Sequence, residues 1–182
     1  TFASAFGKFT IDNKELGGLE AVWTIDASYK CAIASAFKDA AGIVAESWLV
    51  SPIIDMTSIL STDDINLSFT QMSQKQGDAN EYMLKIKNVS DNGAWENLTF
   101  EQPEAGFKAM LVNIKLQVYA GKKIQLAFVY KNAKTDSAPK WEIQNVKIGV
   151  TPGVPGGTED DPLTCAEVIA LNNTAAGPYY VK

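Results

Sequence analysis

The chain has 182 residues, 46% of them hydrophobic, and a net charge of −5, enough for one domain with its own core and no need of disulfides or metals. All sixteen basic residues are lysines and there is no histidine, which removes Ser-His-Asp and Cys-His catalysis, imidazole metal ligands, and the guanidinium fork that grips phosphate, carboxylate or guanine. With an acidic balance as well, no nucleic-acid partner is expected.

Residues 6–11 (FGKFTI) read as a short first strand, and 13–18 as a loop ending in Gly17-Gly18. Residues 21–26 (AVWTID) alternate Val22, Thr24 and Asp26 against Trp23 and Ile25. Residues 29–37 put Cys31, Ile33, Ser35 and Phe37 on one face and Ala32, Ala34 and Ala36 on the other. Such small residues also suit a helix, but the neighbouring pattern favours a strand. Residues 38–46 read as a loop. Residues 47–54 (SWLVSPII) form a strand with a proline inside it. Pro52 cannot donate to a ladder, so that strand lies at an edge, bulges or ends there.

Residues 65–72 (INLSFTQM) alternate with Leu67 and Phe69 inward. Residues 82–89 send Tyr82, Leu84 and Ile86 inward and Lys85 and Lys87 outward. The SDNG of 90–93 is a hairpin-class turn, and 95–100 (WENLTF) return from it. Residues 110–118 keep Val112, Ile114, Leu116 and Val118 in phase. Residues 119–149 read as two strands joined by a polar loop at 132–140. Ile124, Leu126, Phe128 and Tyr130 share one face of the first; Gln125, Ala127, Val129 and Lys131 share the other. In the second, Trp141 and Ile143 fall out of phase with Val146 and Ile148. Placing all four inward requires a β-bulge at Gln144-Asn145. About nine or ten short strands, polar connections and no long helix predict an all-β sandwich over residues 1–150.

Residues 151–162 (TPGVPGGTEDDP) have the composition of a linker. Beyond them, 163–171 have helical spacing, but 163–182 are too few for a core and read as the remnant of a second domain or a tail. No apolar run approaches the ~20 residues of a membrane span, and no signal peptide is present. The chain opens within patterned sequence, as a mature or trimmed chain would. Cys31, in a small-residue run, reads as a buried thiol. Cys165 lies beyond the linker; there is no CxxC, and whether the two cysteines pair is left open.

Several stretches occur together in an order that resembles a known group. They are Glu46-Ser47-Trp48-Leu49-Val50-Ser51-Pro52 with Ile54-Asp55, then Leu67-Ser68-Phe69, then Leu84-Lys85-Ile86 through Trp95. The set closes with residues 123–128 (KIQLAF) and 141–146 (WEIQNV). This set is similar to the choice-of-anchor J, cleaved-adhesin and MAM-like jelly rolls, over roughly residues 6–150. The resemblance implies a jelly-roll sandwich of two antiparallel sheets. It also implies adhesive or carbohydrate-binding roles in secreted or surface-anchored proteins, lipoproteins included, of gut-dwelling Gram-negative bacteria. Residues 163–182 resemble the opening of the OB-like domain that follows such jelly rolls. Calcium-binding members carry acids where this chain has Gln144 and Asn145, and calcium prefers several charged oxygens. No metal is therefore expected, with Glu46, Asp26 and Glu142 the remaining oxygen donors.

The residues themselves offer little catalytic chemistry. Asp63-Asp64 and Asp160-Asp161 sit in turn and linker contexts and read as solvated charge. The triplets at Asn88, Asn97 and Asn172 are glycosylation sequons by pattern only. Gly153 to Gly157 lacks the ending of a phosphate loop. Aromatic faces beside polar groups suit sugar rings. Trp23, Trp95 and Trp141, with Tyr119 and Tyr130, are candidates for such a platform, while Trp48 reads as core. Trp95, Trp141 and Tyr130 are the expected ligand-binding residues, with Trp95 and Trp141 bordering polar loops. The expectation is a monomeric, non-enzymatic module of a secreted or surface-anchored bacterial protein. It would bind a glycan or a host or bacterial surface ligand, with no catalytic residue, no cofactor and no membrane span. The alternative is an architectural spacer or protein-interaction domain without a small-molecule site.

Overall fold

Alternation decides the long strands. In β8 (Asp64–Ser73) every second residue from Ile65 through Leu67, Phe69 and Gln71 to Ser73 is buried. β9 (Tyr82–Asn88) does the same with Tyr82, Leu84 and Ile86, and β12 (Lys123–Asn132) with Ile124, Leu126, Phe128 and Tyr130. A strand with one apolar face needs a second sheet to cover it, and that is the arrangement found. The computed structural model describes residue 2 and residues 4–151, which form a jelly-roll sandwich of two antiparallel sheets.

Sheet I runs β1 (Thr10–Glu15), β6 (Ala45–Val50), β12, β9, β10 (Trp95–Leu98), with β7 (Ile54–Asp55) also on β12. Sheet II runs β11 (Met110–Lys115), β8, β13 (Trp141–Thr151), β3 (Cys31–Ala34), β2 (Trp23–Asp26). The two-residue strands β4 (Phe37–Lys38) and β5 (Ala41–Gly42) form a small ribbon, in a stretch expected to be loop. β12 and β13, the two strands read at 119–149, belong to opposite sheets and face each other across the core.

The proline in 47–54 ends its strand. β6 stops at Val50, and pairing resumes only at Ile54, opposite Ile124. β6 is not an edge, since β1 and β12 flank it. The expected bulge is present in β13. Gln144 pairs with Thr70 and Lys147 with Ser68, three steps against two, and Asn145 takes φ 54°. The extra residue resets the phase, so Val146 and Ile148 pack against the core as Trp141 and Ile143 do.

Three expectations need correction. The first strand is Thr10–Glu15 and fully exposed, not 6–11; Phe6 and Phe9 pack on the core outside any strand. Pairing with β6, not apolar content, makes that edge strand. The strand at 110–118 ends at Lys115, and Gln117–Tyr119 is a 3-10 turn with Val118 83% exposed. Gln117 pins that turn, donating to the carbonyls of Ser61 and Asp63 and accepting from the Ile65 amide. Asp63 is buried rather than solvated, and its Oδ2 accepts from the Leu60 amide at 2.8 Å. Asp64 pairs with Lys115 at 2.5 Å. The linker, the segment 163–182, Cys165, Asp160-Asp161 and the Asn172 triplet lie outside the described residues, except Thr151, which ends β13.

The core centres on aromatics. Trp141 is fully buried and stacks on Tyr82 at 5.0 Å and 8°, with Phe100 parallel at 6.3 Å and Trp23 and Phe128 around it. Its indole N–H donates to Gln71 Oε1 at 3.1 Å, and Gln71 donates to the Glu101 carbonyl at 2.6 Å. Tyr130 stacks on Tyr82, and both hydroxyls donate to the Pro139 carbonyl. Burial pushes the Tyr82 hydroxyl up to about 12, and that of Tyr130 further.

Candidate functional site

The core assignment removes two of the three residues expected to meet a ligand. Trp141 and Tyr130 have both ring faces and their polar tips occupied by protein, so neither presents a stacking surface. Trp23 is likewise buried, its N–H donating to the Ser47 carbonyl. The expected platform does not assemble. Trp95 alone of the three reaches the surface, on the outer face of sheet I, where Trp48 also lies.

On that face Ala127 and Val129 are fully buried although they point away from the core. Apolar residues on a second face need cover, and Trp48, Met83 and Trp95 supply it. The two indoles meet edge to face at 5.6 Å and 78°. The ammoniums of Lys14 and Lys85 lie 5.4 and 5.6 Å from the centre of the Trp48 ring, a cation–π geometry. Trp48 Nε1 donates to Glu46 at 2.9 Å, and Glu46 pairs with Lys131 at 3.1 Å. Burial works to raise the Glu46 carboxyl, but the Trp48 and Lys131 hydrogen bonds outweigh it and hold the group below its ordinary value. This face is a small second core, with its indoles already partnered.

The outer face of sheet II is different. It holds a concavity of about 420 Å³. Its floor is strand surface: Met72 from β8, Glu142 and Gln144 from β13, and Ile33 from β3. Asp26 of β2 and Lys140, just before β13, border it. Two aromatics from turns complete it. Tyr29 is 71% exposed and Phe107 41% exposed.

Local sequence explains both aromatics. Asp26 Oδ1 accepts from the amides of Ser28 and Tyr29 at 2.9 and 3.0 Å, an Asx turn. Lys30 at φ 55° then closes the β2–β3 connection, and Gln144 Nε2 donates to the Tyr29 carbonyl at 3.3 Å. Tyr29 is left at the tip. Phe107 takes φ 56°, a left-handed conformation that costs a bulky residue about 1–3 kcal/mol. Its amide donates to the Ser73 carbonyl at 2.7 Å, and that of Gly106 to the Gln74 carbonyl at 3.2 Å. The loop is thereby tied to the end of β8, with Phe107 held beside the concavity.

The electrostatics are those of acids short of partners. Burial raises the Glu142 carboxyl above its ordinary value, and the neighbouring Asp26 adds to this; Lys140 and the Cys31 thiol work against it. Cys31 Sγ lies 3.9 Å from Glu142 Oε2. Burial, then Glu142 and Asp26, push that thiol up to about 11, so it stays protonated and unreactive. It is a free, buried thiol. Glu46, Asp26 and Glu142 do not converge on one ion: the first is on sheet I and the others are on sheet II. Among the described residues no helix is long and apolar enough to cross a membrane.

Sequence reading missed Tyr29, Phe107 and Trp48 as surface aromatics, and named Asp26 and Glu142 only as oxygen donors. Periodicity says nothing about turn residues. The usable signals were the Asp-x-Ser-Tyr turn before Lys30 and the phase of Trp48, which matches Glu46 rather than Leu49.

No family model and no curated protein matches the chain. Solved structures do. The N-terminal cellulose-binding domain of β-1,4-glucanase C from Cellulomonas fimi is 11% identical at a TM-score of 0.51, over 84% of this chain and 94% of that one. The enzymatically active domain of bacteriophage CBA120 tailspike protein 4 is 13% identical at 0.50, over 80% of this chain but 20% of that one. The K1 cleaved-adhesin domain of Lys-gingipain from Porphyromonas gingivalis W83 is 17% identical over 79% of this chain and 99% of that one, with a TM-score of only 0.37, too low to weigh. At these identities the first two likenesses speak to the fold alone.

Proposed function

We propose that this chain is a non-enzymatic carbohydrate-binding module, and that the concavity on sheet II is its site. The observation that carries the reading is the pairing of exposed Tyr29 and Phe107 with the polar groups of Glu142 and Gln144 on the strand floor and of Asp26 at its border. A pyranose offers an apolar C–H face and a rim of hydroxyls. Aromatic walls take the first, and carboxylate and amide groups take the second. The motif resemblance to adhesin jelly rolls points the same way and suggests a place outside the cell or at its surface, and a cellulose-binding domain shares the fold. A sheet floor is rigid, so little ordering cost accompanies binding.

A glycan array followed by titration calorimetry tests this. Tyr29→Ala or Phe107→Ala each removes a stacking surface and is expected to weaken binding roughly tenfold, about 1.5 kcal/mol. Undiminished affinity in both variants refutes the site. A second reading keeps the expected role of Trp95. The Trp48–Trp95 pair is only half buried on sheet I and forms an aromatic patch there. Loss of binding in Trp95→Ala, with Tyr29→Ala unaffected, moves the site there. No binding by the intact chain leaves the architectural alternative.

A further inference from the structure

Resting on that reading, we infer that the sheet II concavity selects saccharides bearing a free, protonated amino group over their neutral, N-acetylated or anionic counterparts. Two carboxylates, Asp26 and Glu142, border the concavity against one ammonium, Lys140. Among the described residues, no lysine forms an ion pair with either acid; all the ion pairs use other carboxylates. One oxygen of Asp26 serves the Tyr29 turn. Among the described residues the hydrogen-bond donor to the Glu142 side chain is the Cys31 thiol, a weak one at 3.9 Å. Carboxylates recessed beside apolar walls gain more from a cation than they would in water.

The walls add to the same preference. Tyr29 and Phe107 line the concavity, and the quadrupole of an aromatic face attracts an ammonium and disfavours a carboxylate. The charged or titratable groups around Glu142 are Asp26 from β2, Tyr29 from the β2–β3 turn, Cys31 from β3 and Lys140 just before β13, while β8 contributes the neutral Met72. Only Lys140 among these opposes a cation. Attraction between an ammonium and these carboxylates weakens as salt is added, whereas the binding of a neutral sugar does not.

The test uses the whole chain and four β-1,4-linked probes of equal length: an oligomer of glucosamine, its N-acetylated form, a cello-oligosaccharide and an oligouronate, all at about pH 6. The expected result is a preference of roughly tenfold or more for the amino oligomer over the cello-oligosaccharide. The oligouronate should bind weakest. Raising the salt from about 0.02 M to about 0.5 M should weaken binding of the amino oligomer several-fold and leave the cello-oligosaccharide unchanged. Glu142→Gln should reduce both the preference and its salt dependence. Equal binding of amino and neutral oligomers overturns this inference and leaves the carbohydrate reading standing; binding of none overturns both. The salt comparison on the unmodified chain decides the matter even where the variant folds poorly: a preference unchanged by salt counts against the inference.

Discussion

Replacing Trp141 by phenylalanine separates a core role from a ligand role at one position. The ring stack on Tyr82 survives in part, because phenylalanine still fills the slot between Tyr82 and Phe100. The indole N–H does not. Gln71 is fully buried, and its Oε1 loses its donor. An orphaned buried acceptor costs about 1–3 kcal/mol. The lost volume, roughly 40 Å³, adds about 1 kcal/mol at ~24 cal/mol per Å³. The expected destabilisation is therefore about 3 kcal/mol, a large part of the usual margin of about 5–15 kcal/mol. Urea unfolding followed by circular dichroism measures it, and Tm should fall by roughly 10 °C. Adding Gln71→Leu removes the orphan and frees the exposed Glu101 carbonyl to meet water, recovering about 1–2 kcal/mol of coupling. A loss under about 1 kcal/mol, or weakened glycan binding with stability intact, would refute this account and return Trp141 to the ligand.

Two further predictions concern Glu142 and the bulge. An acid raised in the folded chain keeps its proton longer there than in the unfolded one, so its contribution is greatest below the ordinary value of 4.5 and is lost as pH rises through the raised value. Glu142→Gln should then melt close to the parent near pH 4 and above it near pH 7; a difference independent of pH counts against the burial argument. Asn145 is exposed at φ 54°, so Asn145→Val should cost about 1–2 kcal/mol from backbone strain alone, while Asn145→Gly should not. Identical denaturation midpoints for both would mean the bulge does not depend on a left-handed residue.

The sandwich was legible where one face was apolar and the other polar, as in Tyr82 to Ile86 and Ile65 to Phe69, because alternation of that kind has a single burial solution. The bulge was legible for the same reason, since only an extra residue lets Ile143 and Val146 both face inward. Ala127 and Val129 show what alternation misses. They were seen as the other face of β12, yet their apolar character already called for cover from Trp48 and Trp95. Trp141 was misjudged because a polar loop before it says nothing about what lies across the sandwich. The candidate site was the least legible part. Tyr29 and Phe107 owe their positions to turn geometry and positive φ, and only the fold brings them to one rim.

The placement of β13 bears on how the domain carries tension. β13 is an interior strand, hydrogen-bonded to β8 along one side and to β3 along part of the other. β1 is an exposed margin held by β6 alone. A load entering at β1 or at Thr151 therefore meets a single seam first, β1 against β6 or residues 147–151 against β8 alone. Only residues 141–143 of β13 are held on both sides. The stretch bearing Glu142 is thus the part of β13 that yields last, and the floor of the concavity outlasts the end of its own strand.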